Sequence, residues 1–287
     1  MTYRCSKESR GSIRPGLRCG EAAFIIPLAM PSPKRTVSMK GKSRATGLTR
    51  SSVLVTGASG GIGRAVCRAF AAAGWYIGVH YHRRKAEAEQ TLRAVLVTGG
   101  TGALYEADIR EAEPVRHMVD AFYRQAPPPY AFICNAGVAA SRLLLRQSDD
   151  QWADVVQTNL TGTFHCLQAM VPPLLAQGGG SIDVIGSHAG VHGSMGQAAY
   201  AASKAGLLGL VKTAAQEWGP QNVRVNLVLP GWQQTGMSEG AVPDEHEWQD
   251  HALRRPPALE EVARTIVYVA QLQDMSGQVW NCDSRDL

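Results

Sequence analysis

The chain has 287 residues, 45% apolar and 18% charged, which is enough apolar content to bury a full core and excludes wholesale disorder. Its net charge of +5 is uneven: residues 1–50 hold 11 Lys/Arg against two Asp/Glu, a balance of +9 that leaves −4 for residues 51–287. The basic segment lacks interleaved aromatic residues and no apolar run approaches the roughly 20 residues of a spanning helix, so neither nucleic acid nor membrane is expected as a partner.

Residues 1–50 read as a basic extension ahead of a domain spanning 51–287. One reading makes it a solvated or targeting segment, although its apolar stretch AAFIIPLAM is short and broken by Pro27. The other places the true start at Met30 or Met39, with the preceding residues untranslated or disordered. From residue 51 short apolar runs alternate with longer helical stretches. Strands are expected near 53–56, 76–81, 103–106, 131–135, 182–187, 224–229 and 278–281. Helices are expected near 63–73, 85–97, 112–125, 151–175, 199–218 and 260–270. The pattern is that of an α/β fold with a doubly wound, seven-stranded parallel sheet of Rossmann type, which binds ligands beyond the carboxyl ends of its strands. Residues 232–256, with Trp232, Trp248 and little periodicity, read as a lid or binding loop. The six cysteines show no C-x-x-C and no metal-ligand spacing, which fits a reduced, cytoplasm-like compartment and no metal site.

The first strand runs into VTGASGGIGRAV. Gly57, Gly61 and Gly63, with Ser59 and Ile62 between them, would close a tight turn and admit a pyrophosphate to a helix N-terminus. A dinucleotide site that takes NAD(H) needs an acid at the end of the second strand. The sequence there is VHYHRRK, and His82, Arg83 and Arg84 suit a 2′-phosphate, so NADP(H) is the expected cofactor. Tyr-x-x-x-Lys occurs three times, at Tyr3/Lys7, Tyr81/Lys85 and Tyr200/Lys204. Tyr81/Lys85 straddles a strand end. Tyr200/Lys204 lies within one helix, 13 residues after Ser187 at a strand end, so both side chains share a face. An ammonium there is expected to lower the phenol pKa from its usual value of about 10 and make Tyr200 an acid or base near neutrality. Ser187 could hold a substrate oxygen, and Asn159, an amide inside a helix, could hold a water. His188 and His192 read as loop residues, and Cys134 as a small apolar one.

With TGASGGIG (56–63), CNAG (134–137), Asn159, Ser187, YAASK (200–204) and PGWQQT (230–235) in register, residues 51–283 resemble the short-chain dehydrogenase/reductase family. The resemblance implies that Tyr200 is the acid/base, that Lys204 binds the nicotinamide ribose and tunes Tyr200, and that Ser187 positions the carbonyl. Asn159 then carries a water of a proton relay and Asp108 contacts the adenine. Asn135, Ala136 and Gly137 line the cofactor cleft, with Pro230, Gly231 and Thr235 at its nicotinamide end. Residues 143–164 and 186–206 look most like 3-oxoacyl-[acyl-carrier-protein] reductases. That likeness implies NADPH-dependent reduction of a 3-oxoacyl thioester, as in fatty acid or polyketide synthesis, with a small-molecule or carrier-bound acyl substrate. The stretches LLAQGGGS and EWGPQNVR, however, carry Gln and Gly where basic residues that dock an acyl carrier protein are expected. The chain also ends NCDSRDL, where the family usually has a Gly pair after the Asp. Two other readings stand beside this one: a dehydrogenase of a sugar, steroid or quinone-like alcohol, and a cofactor sensor without catalysis. The helix from Tyr200 is apolar nearly all round, which predicts a homotetramer or homodimer.

Overall fold

Strands that are apolar on both faces need helices on both sides, and the computed structural model, which describes residues 51–236 and 245–286, has that layering. The strands are β1 (Ser52–Val55), β2 (Tyr76–Tyr81), β3 (Thr101–Glu106), β4 (Pro129–Cys134), β5 (Gly180–Ile185), β6 (Val223–Leu229) and β7 (Val279–Asn281). All pair in parallel in the order β3-β2-β1-β4-β5-β6-β7. The order reverses between β1 and β4, and that reversal opens a crevice at their carboxyl ends.

The helices are α1 (Gly61–Ala72), α2 (Lys85–Val97), α3 (Ala112–Gln125), α4 (Asp149–Val156), α5 (Gly162–Ala176), α6 (Ala189–His192), α7 (Ala198–Trp218) and α8 (Leu259–Gln271). On one face Val66, Phe70 and Ile266 pack with Ile77, Val79 and Ile133. On the other, Phe122, Leu167, Met170 and Leu207 pack with Phe132, Ile182 and Val225. Each large side chain so buried contributes about 1.5–3 kcal/mol. Phe122 joins the second layer to the sheet edge-on, with ring centres 5.5 Å from Tyr105 and 5.9 Å from Phe132.

The strand expectations hold to within about two residues, but the single helix expected over 151–175 does not. Ser148 starts α4 with a reciprocal capping box to Gln151. A π-helical turn, Gln157–Thr161, then interrupts the α pattern before α5 begins. The four-residue α6 was not foreseen. Within the expected lid, Glu245–Asp250 forms a 3-10 turn, while 237–244 and the whole of 1–50, Tyr3/Lys7 included, lie outside the described residues. Among the described residues no helix is long and apolar enough to cross a membrane. Helix α7 buries Ala199, Ser203, Lys204, Leu207 and Val211 on one side and leaves Ala202, Ala205 and Gly209 exposed on the other.

One buried acid interrupts the apolar strands. Asp183 on β5 is fully buried, in register with Asn226 of β6. Neither of its oxygens has a hydrogen-bond partner. The Asn226 side chain is engaged elsewhere, donating to the Met275 carbonyl and accepting from Gln278 N–H, both at 3.1 Å. Burial raises the Asp183 pKa to about 8, opposed first by the Arg224 charge and then by the neighbouring Ser181 and Asn226 side chains.

Candidate active site

The floor of the crevice is a turn locked to its neighbour strand. Thr56, just past β1, accepts from the N–H groups of Asn135 (2.9 Å) and Ala136 (3.1 Å). Asn135 Nδ2 donates in return to the carbonyls of Thr56 (2.9 Å) and Gly57 (3.2 Å). Gly57 adopts φ +64°, and a Cβ there would lie 2.7 Å from Ala136 Cα. That position therefore excludes other residues on conformation and on space. A Cβ at Gly63 would likewise meet the Gly57 carbonyl at 2.5 Å. No side chain caps α1 at Gly60, so its first-turn N–H groups and dipole suit an anion.

The catalytic candidates meet at the other end. Lys204 is buried, and its Nζ donates to the Ile185 carbonyl at 2.7 Å and lies 5.8 Å from the centre of the Tyr200 ring. Ser187 Oγ accepts from Ala189 N–H (3.2 Å) and also interacts with the Tyr200 hydroxyl. The π-helical turn holds Asn159, which is buried with its amide committed. Its Oδ1 accepts from Val138 N–H (2.8 Å), and its Nδ2 donates to the Val138 carbonyl (2.9 Å) and Ser203 Oγ (3.0 Å).

The expected lowering of the Tyr200 pKa is not found. Burial raises it, and the Ser187 hydroxyl only partly opposes the rise. Lys204 does not reverse this because its ammonium is drawn to a backbone carbonyl, and burial pushes its own pKa down to about 8.

Both ends open on one cavity of about 880 Å³. Gly57, Ser59, Gly61, Ile62, Gly63, His82, Arg83, Arg84, Asp108, Asn135, Ala136, Gly137, Ser187, Tyr200, Lys204, Pro230, Gly231 and Thr235 all line it; Asn159 stands behind its wall. The free N–H groups of α1, the space kept clear by Gly57 and Gly63 and the arginines after β2 fit the phosphates of a dinucleotide. A family model for the short chain dehydrogenases matches residues 51–246.

The chain belongs to the short chain dehydrogenase family. It is therefore an oxidoreductase that works with NAD(P) on a carbonyl or the corresponding alcohol. It is 34% identical over 221 residues, 76% of this chain and 91% of the relative, to the 3-oxoacyl-[acyl-carrier-protein] reductase FabG of Staphylococcus epidermidis. To the 3-oxoacyl-[acyl-carrier-protein] reductase of Synechocystis it is 36% identical over 241 residues, covering 83% and 97% of the two chains. The putative short-chain alcohol dehydrogenase of Sinorhizobium meliloti 1021 superposes with a TM-score of 0.77 at 28% identity, over 82% of this chain and 95% of that one. A variant of actinorhodin polyketide ketoreductase solved with NADPH gives 0.76 at 27%, over 82% and 96%.

Three features of this short chain dehydrogenase were not anticipated. His80, the residue before Tyr81 in β2, is 2% exposed. Its Nδ1 accepts from Gly57 N–H (2.9 Å), so Nε2 carries the proton and donates to the Ala107 carbonyl at 3.1 Å. Burial lowers its pKa to about 4, and the neutral ring ties the glycine turn to the end of β3. Arg110 grips Asp108 through Nε (3.0 Å) and Nη2 (2.6 Å) and reaches Asp154 through Nη1 (3.0 Å). Those hydrogen bonds hold the Asp108 pKa below the usual value. His82 completes the cluster, 3.6 Å from Asp108. The third feature is Arg285, which enters the cavity from the chain's end.

Proposed function

We propose that the protein is an NADPH-dependent reductase that converts a carbonyl, that of a 3-oxoacyl thioester, to a secondary alcohol. The observation that carries this reading is that Ser187, Tyr200 and Lys204 share one cavity with an anion-binding glycine turn and the basic residues His82, Arg83 and Arg84. The α1 N-terminus would take the pyrophosphate, the basic residues the 2′-phosphate, and Lys204 the nicotinamide ribose. NADPH, when bound, supplies the hydride.

The chain's own residues do the rest. Ser187 holds the carbonyl oxygen beside the Tyr200 hydroxyl. Because burial raises its pKa, Tyr200 keeps its proton at neutral pH, as a donor to a developing alkoxide must. Lys204 places a positive charge beside that transfer. Asn159 organises the wall: its amide is tied to Val138 and Ser203, and its backbone carbonyl accepts from the Thr163 hydroxyl at 2.8 Å. The names of the FabG relatives and the ketoreductase support the 3-oxoacyl substrate. The exposed face of α7 supports a homodimer or homotetramer, which light scattering tests; a monomeric mass would contradict it.

The reaction is tested by loss of NADPH absorbance with acetoacetyl-CoA, run beside NADH and beside Tyr200→Phe. Turnover is expected with NADPH and is expected to be lost in the variant. NADPH binding without turnover on any ketone would favour a sensor.

A further inference from the structure

Arg285 stands at the catalytic end of the cavity on a tail braced by its own hydrogen bonds. Asp283 N–H donates to Asn281 Oδ1 (3.2 Å), Asn281 Nδ2 to the Arg285 carbonyl (2.7 Å), and Arg285 N–H to Asp283 Oδ1 (2.8 Å). The guanidinium closes Nε and Nη2 on Asp283 Oδ2 at 2.9 and 2.5 Å. The Asp283 side chain is fully buried, whereas that of Arg285 is 22% exposed. Burial would push the Asp283 carboxyl up, but the Arg285 hydrogen bonds outweigh it and keep the group ionised. The tail's place is fixed from the other side at Gly231, where a Cβ would lie 3.0 Å from Asp283 Oδ2. Nη1 makes no hydrogen bond among the described residues, so one edge of the guanidinium is clamped and one donor group is left for the cavity.

The charge layout makes that donor group selective. The carboxylates lining the cavity, among the described residues, are Asp108 and Asp154, and Arg110 holds both at the adenosine end. Around Ser187 the lining is His188, Met195, Gln197 and Trp232, with no acid among them. His188 Nε2 sits 3.2 Å from the Asp286 carbonyl, which brings the tail to the residue that follows Ser187 in the chain. Asp283 balances the charge of the guanidinium on its clamped edge, while the remaining Nη1 donor group meets no second acid among the described residues lining this end, an arrangement that suits an anionic oxygen group.

We propose that Arg285 binds an anionic oxygen group, a carboxylate or a phosphate, carried by the ketone substrate, and so selects substrates that bear one. The inference rests on the reductase reading and names the class of its substrate.

The test compares three substrates: acetoacetate, which carries a carboxylate; acetoacetyl-CoA, which carries phosphates; and the neutral N-acetylcysteamine thioester of acetoacetate. Each is assayed for kcat and KM with the wild type, Arg285→Gln and Arg285→Lys. Arg285→Gln is expected to raise KM for an anionic substrate about tenfold to a hundredfold and leave the neutral thioester unchanged, with partial recovery in Arg285→Lys. An effect on acetoacetate assigns the carboxylate; an effect on acetoacetyl-CoA alone assigns the phosphate. An equal fall on all three substrates, the mark of a purely structural tail, or no change on any, would overturn the proposal. If the wild type reduces none of them, the reductase reading fails separately. Calorimetric titration of acetoacetate and of CoA into the protein with NADP+, which cannot reduce the ketone, then decides the anion site: binding lost in Arg285→Gln supports it, and no binding to the wild type refutes it.

Discussion

Replacing Asp183 with Asn exchanges a buried carboxyl for a neutral side chain of the same shape. Folded Asp183 keeps its proton to about pH 8, whereas in the unfolded chain it titrates near 3.8. Between those values the native state binds one proton more than the unfolded state. Its contribution is therefore fully present below 3.8 and lost as pH rises through 8, at about 1.4 kcal/mol per pH unit. His80 acts in the opposite sense at lower pH, because its pKa falls from 6.5 to about 4 on folding. The clean window is thus pH 6.5 to 8, where His80 is largely neutral in both states. Across it the wild type is expected to lose about 2 kcal/mol relative to Asp183→Asn, or about 4–8 °C in Tm for a domain of this size. Thermal unfolding of both proteins at several pH values in the window, at matched ionic strength, reads the difference. Parallel pH profiles would refute the buried-proton account, whichever protein is the more stable.

His80→Gln should flatten the acid limb of the stability profile. The His80 contribution is present above 6.5 and lost towards 4, a loss of up to about 3 kcal/mol, and an acid limb identical to that of the wild type would remove His80 from its role. Gly57→Val, strained at positive φ and 2.7 Å from Ala136 Cα, should weaken NADPH binding at least about tenfold in a fluorescence titration; an unchanged Kd would contradict the packing argument. In the wild type kcat/KM for reduction should fall above about pH 8 as the Lys204 ammonium deprotonates. Lys204→Arg, if folded and active, should move that limb upward, and a limb that stays in place belongs to another group. Arg83→Ala/Arg84→Ala should narrow the preference for NADPH over NADH in paired KM measurements, and an unaltered ratio would place the 2′-phosphate elsewhere.

What could be read from the sequence depended on how local the physics was. Gly57, Gly61 and Gly63 follow a strand and open a helix, and Tyr200 and Lys204 are one helical turn apart, so spacing alone brings each group together. The charge state of Tyr200 was not legible, because it depends on burial under other elements and on a carbonyl, Ile185, that captures the ammonium. His80 reads as one more strand residue, and its partner is an N–H 23 positions earlier. Arg110 could have been suspected from its place two residues after Asp108. Arg285 gave a weaker signal, the replacement of an expected Gly pair after Asp283; nothing in the sequence says that the tail turns into the cavity.

The π-helical turn at Gln157–Thr161 bulges the backbone at the site. The wider turn holds one residue more than an α-helical turn while covering about the same rotation. Removing one residue within 157–161 would restore unbroken α-helical hydrogen bonding and leave α5 with its apolar face still on the sheet, but the outward bulge of the backbone would be lost. Asn159 would swing away from Val138 and Ser203, and the wall behind Tyr200 would lose its brace. A shorter loop between 157 and 161 is thus a better helix and a poorer enzyme, and insertions or deletions there are expected to be tolerated far less than in the turns at 98–100 or 177–179.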